Sequence, residues 1–124
     1  IATLSGGQLQ RAWLAMVIAQ ASPIILLDEP TNHLDIQHAL QLLELLRRLC
    51  NEQDKTIIVV LHDLNLAASF SDRLVLFDSG KITADGQTEH VLTEENIARV
   101  FKVNCQIIRN PNQPPRFIPI SAKQ

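Results

Sequence analysis

Ile24-Ile25-Leu26-Leu27-Asp28-Glu29-Pro30-Thr31 is an apolar run of strand length that ends in two adjacent carboxylates. A buried strand with that ending delivers a metal-binding acid and a general base to the edge of a sheet. Thr56-Ile57-Ile58-Val59-Val60-Leu61-His62-Asp63 repeats the design with a histidine in place of the acids. Upstream, Leu4-Ser5-Gly6-Gly7-Gln8 sets two glycines and a small hydroxyl just before a helical pattern over residues 9–21. Free backbone N–H groups and a helix N-terminus together make an anion site.

The elements around these segments read from periodicity and capping. Leu9, Ala12, Trp13, Ala15, Met16, Val17 and Ala19 recur at helical spacing until Ser22-Pro23 ends the pattern. The unbroken apolar stretches 24–27 and 56–61 are expected to be parallel strands covered on both faces. Between them, Asp35 is placed to cap a helix over residues 36–52 with a wide apolar stripe through Leu40, Leu43, Leu46 and Leu49. Strand, helix, strand implies a parallel crossover. Asp63 and Asn65 are expected to cap a short helix ending at Phe70. Asp78-Ser79-Gly80 marks a hairpin between 73–77 and 81–84. Thr93 caps a helix to Phe101 after a short helical turn at 89–92. Residues 103–108 and 117–120 read as two short strands around an Asn/Pro-rich loop.

Taken in order, LSGGQ (4–8), ILLDEPTNHLD (25–35) and VVLHDLNLA (59–67) resemble the signature motif, the Walker B motif with D-loop, and the switch histidine of ABC-type ATPases. The resemblance implies an α/β fold, a partial P-loop NTPase (RecA-like) parallel sheet with flanking helices, and the substrate and ion of that chemistry, ATP and Mg2+. Asp28 then holds the metal, Glu29 is the general base and His62 contacts the γ-phosphate. Ser5, Gly6, Gly7 and Gln8 bind the nucleotide of a facing subunit, and Asp35 lies across the dimer interface. Domain divisions are expected at 1–22 (signature segment of the helical subdomain), 23–86 (catalytic core half) and 87–124 (C-terminal helices and short strands).

No Gly-x-x-x-x-Gly-Lys-Ser/Thr loop occurs in these 124 residues, and Lys55, Lys81, Lys102 and Lys123 lack the glycine spacing before them. With Ile1 as first residue and the signature at the start, the expectation is a C-terminal part of a longer protein, inactive by itself. The expected partners are a second ATPase subunit in a homodimer, the phosphate-loop half, and an integral membrane permease. That places the protein peripherally on the cytoplasmic face of the inner membrane. Asn32-His33-Leu34-Asp35 and His62-Asp63-Leu64-Asn65-Leu66-Ala67 are most similar to the iron(III)-siderophore, haem and vitamin B12 uptake group. Two alternatives stand beside it: a soluble ABC protein acting on ribosomes, and a binding fragment that never hydrolyses. The first usually continues Asp-Arg-Tyr-Phe after the histidine, where this chain has Asp63-Leu64-Asn65-Leu66.

A formal charge of −2 and a pI near 6.1 supply no basic field for nucleic acid. Cys50 and Cys105 lack metal-ligand spacing and read as idle thiols. His33 reads as a turn residue, His38 and His90 as solvated helix residues. None of the three is assigned chemistry.

Overall fold

The computed structural model describes Gln8, Arg11, Ala12, Ala15, Ala19 and residues 22–124. It divides into two compact units, Ile1–His62 and Asp63–Gln124. Gln8, Arg11, Ala12, Ala15 and Ala19 are helical and exposed, so the three alanines stand on the outward side of the expected helix. The remainder of that helix lies outside the described residues.

In the first unit β1 (Ile24–Asp28) pairs in parallel with β2 (Thr56–Val60), with Ile24 opposite Thr56 and Asp28 opposite Val60. The register is closed at both ends. Thr56 N–H donates to the Pro23 carbonyl (2.9 Å) at the start, and Glu29 N–H donates to the Val60 carbonyl (3.0 Å) at the finish. The Lys55 ammonium adds a 2.7 Å bond to the Ser22 carbonyl.

Helix α1 (Ile36–Gln53) makes the crossover between the two strands. Ala39, Leu42, Leu43, Leu46 and Leu49 recur at 3.6-residue spacing, and all five are buried. The helix stops at Asp54, which takes the left-handed conformation with φ 52° in the place glycine usually fills. Ile25 and Leu27 of β1 are buried as well.

Among the described residues the two faces of the strand pair differ in burial. Ile25 and Leu27 are buried and Ile57 and Val59 half-buried, whereas Ile24, Leu26, Ile58 and Val60 are exposed, Leu26 at 70%. Alternation of side chains along a strand sorts the eight residues onto two faces.

The second unit is built from α2 (Leu64–Phe70), the hairpin β3 (Leu74–Asp78) and β4 (Lys81–Gly86), α3 (Thr88–Val91), α4 (Glu94–Phe101), and the hairpin β5 (Val103–Ile108) and β6 (Arg116–Ala122). Both hairpins are antiparallel. Ser79 at φ 52° and Gly80 at φ 77° make the tight turn that the Asp-Ser-Gly signal predicts. Arg73 ties the open end of β3 to β4 through a two-point contact with Asp85, at 2.6 and 2.9 Å. Pro119 sits opposite Cys105 beside a shift in the β5–β6 register, a position where a missing N–H is tolerated.

Ala68, Leu92, Ile97 and Ile107 form the second core, with Leu64, Leu74, Cys105 and Phe117 packed against it. Asp63 alone caps α2, accepting from the N–H groups of Asn65 (2.9 Å) and Leu66 (3.1 Å). The Asn65 side chain, expected to share that cap, instead bonds the backbone of Phe117 in both directions. It accepts from Phe117 N–H (2.7 Å) and donates to the Phe117 carbonyl (3.1 Å). The carboxamide matches a peptide edge, and β6 offers one.

Two measurements check this packing. Ile97 is fully buried, so Ile97→Ala should cost about 2–5 kcal/mol in denaturant unfolding. Ile120→Ala, at a 68% exposed position, should cost less than about 0.5 kcal/mol.

The Glu94 carboxyl is held below its ordinary range, first by its own backbone N–H and then by that of Ile107, 3.1 Å away. A lowered folded-state value means the contact stabilises above the unfolded value and is lost as pH falls through the folded one. Melting temperature should therefore drop on acidification below about pH 4, and Glu94→Gln should flatten that dependence.

Candidate functional site

Asp28 is the last residue of β1 and is exposed. Within a strand the next residue would point to the opposite face. Glu29 leaves that alternation because its backbone is left-handed, φ 51°, in a residue type that rarely adopts it. Its N–H still completes the ladder to Val60, so the bend begins at the α-carbon of Glu29 and not before. The Glu29 carbonyl then accepts from Asn32 N–H (3.1 Å), and the Thr31 carbonyl from Leu34 N–H (3.2 Å), winding the chain through two turns. His33 is a turn residue, as expected, with φ 66°.

His62 stands two residues past the end of β2. The β1–β2 register sets the ends of the two strands side by side, and the His62 Nε2 meets the Glu29 Oε1 in a hydrogen bond. With a proton on Nε2 the ring donates to an ionised carboxylate, which only accepts. Glu29 is 36% exposed and His62 77% exposed, which leaves both open to a ligand.

Asp35 is the N-cap of α1, with extended backbone, and its Oδ1 accepts the N–H of His38 at 2.9 Å. The imidazole Nδ1 of His38 lies 2.8 Å from the same oxygen. These contacts hold the Asp35 carboxyl below its ordinary range, the backbone bond contributing most and the imidazole adding to it. His38 is thus not a plain solvated helix residue. The three-residue spacing to a capping aspartate was the available signal, since N-cap and N3 side chains are neighbours.

The strand pair thus brings together Asp28, Glu29 and His62. Ser5, Gly6 and Gly7 lie outside the described residues, and Gln8 is helical and exposed. Cys50 and Cys105 are free thiols, and burial first, with the Glu94 charge second, pushes the Cys105 thiol up. His90 is exposed in α3.

Among the described residues no three His, Cys, Asp or Glu side chains converge to cage a metal ion. One carboxylate at a strand end, with a second beside it, suits an ion that arrives with most of its ligands. Mg2+ is such an ion, held typically by one or two carboxylates, phosphate oxygens and water. No described helix is long and apolar enough to cross a membrane.

A family profile for the ABC transporter matches residues 1–32. The ferric enterobactin transport ATP-binding protein FepC of Escherichia coli (strain K12) is 50% identical over 109 residues, 88% of this chain and 40% of that protein. A solved chain from an inward-facing ABC transporter assigned to the metal-chelate type superposes with a TM-score of 0.85 at 30% identity, over 96% of this chain and 48% of that one. The dimeric bacterial ABC transporter cassette MJ0796 superposes with a TM-score of 0.61 at 38% identity, over 69% of this chain and 37% of that one. The chain thus spans less than half the length of each. The chain is similar to a C-terminal part of ATP-binding proteins of the ABC transporter family, and it is a partial α/β piece of the P-loop NTPase fold of those cassettes.

Proposed function

We propose that the complete protein is the ATPase subunit of an importer, in which Asp28, Glu29 and His62 serve the nucleotide of their own subunit. The observation that carries this reading is the bond between Glu29 and His62 across the ends of two neighbouring parallel strands. Hydrolysis of a phosphoanhydride needs a positioned water, a base and charge neutralisation, and little covalent help from the protein. Glu29 takes the proton of the attacking water. His62 holds the Glu29 carboxylate by one oxygen, which leaves the second to face that water. Asp28 holds Mg2+, through water or directly, and the ion when bound offsets the charge that spreads over the phosphoryl oxygens.

Ser5, Gly6, Gly7 and Gln8 act on the nucleotide of a facing copy, so that each site is completed by a second subunit, and Asp35 couples the two across the interface. In this reading residues 1–22 are the signature segment, 23–86 the catalytic half and 87–124 the C-terminal elements. The permease is an integral membrane partner, which this subunit meets peripherally at the cytoplasmic face of the inner membrane. The cargo class is a ferric siderophore, which the name of FepC and the metal-chelate transporter support.

Glu29→Gln in the complete protein should lower turnover by about 10²–10⁴ while Mg-ATP remains bound, because the amide keeps the shape but cannot take a proton. Steady-state hydrolysis and nucleotide retention after gel filtration measure the two. Hydrolysis near the parent rate would remove Glu29 as the base. The 124 residues by themselves, which contain no phosphate loop, should show no micromolar affinity for Mg-ATP in calorimetry.

A further inference from the structure

We infer that His38 is a positioning residue for Asp35, pinning one carboxylate oxygen so that the other is presented to a second copy of the chain. The inference rests on the interface role proposed above for Asp35.

Both contacts to Asp35 fall on the same atom. Oδ1 receives the His38 backbone N–H at 2.9 Å and lies 2.8 Å from the His38 ring Nδ1, while Oδ2 has no hydrogen-bond partner among the described residues. A backbone cap alone fixes one oxygen at one point and leaves the carboxylate free to pivot about it. The ring nitrogen, 2.8 Å from the same oxygen, restricts that freedom when it carries a proton. The ring nitrogen must carry a proton for this, since the ionised carboxylate has none to give.

Exposure points the same way. The Asp35 side chain is 63% exposed and that of His38 38%, so the histidine is the half-sheltered support and the aspartate the presented group. A facing donor that reached a pivoting carboxylate would have to order it first, at an entropic cost that a pinned carboxylate has already met. His38 itself touches neither nucleotide nor metal in this scheme, so it acts only through Asp35.

Asparagine separates this role from simple helix capping. Its Nδ2 stands the same number of bonds from the α-carbon as the histidine Nδ1, and it donates at every pH. In the complete protein, His38→Ala should lower kcat about threefold, the rate equivalent of one exposed hydrogen-bonded pair, with KM for Mg-ATP unchanged. His38→Asn should restore kcat to within about 1.5-fold of the parent.

In the Asp35→Ala background, His38→Ala should have no further effect, because the group it serves is gone. A separate readout does not depend on turnover. The 13C titration of the Asp35 carboxyl should move up towards the ordinary aspartate range in His38→Ala, and His38→Asn, which keeps a donor but not the charge, should fall between His38→Ala and the parent.

If His38→Ala slows the Asp35→Ala protein as much as it slows the parent, or if asparagine fails to restore kcat, His38 is not acting through Asp35 and the inference falls. If Asp35→Ala itself leaves kcat at the parent value, the interface role of Asp35 is what has failed, and this inference falls with it. Should His38→Ala melt early, His38→Asn and the carboxyl titration still decide the matter.

Discussion

Five residues of parallel pairing, Ile24–Asp28 against Thr56–Val60, fix the places of Asp28, Glu29 and His62. Parallel strands cannot be joined by a tight turn, so the chain must travel back the length of the sheet before it can return. Here α1 makes that journey with 18 residues, roughly 27 Å at 1.5 Å per residue. It packs against β2, and its stripe of Ala39, Leu42, Leu43, Leu46 and Leu49 is buried. The two backbone bonds outside the strands, Thr56 to Pro23 and Glu29 to Val60, then leave the register no freedom to slip. A slip of one residue would reverse which face each side chain occupies and carry the end of β2 away from Glu29.

That constraint explains why a strained residue is tolerated at Glu29. A left-handed backbone in a residue other than glycine costs on the order of 1–3 kcal/mol and persists only where its surroundings over-determine it. At Glu29 the N–H is tied to Val60, the carbonyl to Asn32 and the carboxylate to His62, so three separate groups hold one unfavourable dihedral. Glycine would relieve the strain, but it has no carboxylate. The carboxylate that meets His62 and the bend belong to the same residue, and the bend is what removes Glu29 from strand alternation with Asp28.

Much of this was legible from residue order. The strand ends, the helix begun by Asp35, the Asp-Ser-Gly hairpin and the Thr93 cap follow from apolar period and capping chemistry, which are local. Other features depend on a partner distant in sequence. Nothing near Asn65 announces that its carboxamide will bond Phe117, 52 residues away, and the local reading gave it to the helix cap that Asp63 already fills. Apolar runs record how well a strand suits burial on two faces, yet among the described residues Leu26 and Ile58 are exposed. Asp54 and Lys102 end helices in the left-handed conformation without glycine or asparagine to mark the place. A capping signal based on residue type cannot find them.

His38 shows the opposite failure, where the signal was local and the reading too bland. A histidine on a polar helix face is ordinarily solvated, and composition offers no reason to think otherwise. What changes its meaning is the capping residue three positions earlier. An N-cap aspartate must turn one oxygen towards the N–H groups of the first turn, and that oxygen is then within reach of the N3 side chain. An acid at N3 would repel it, an aliphatic residue would ignore it, and a histidine can donate to it. The same carboxylate that begins α1 is therefore oriented by the helix it begins.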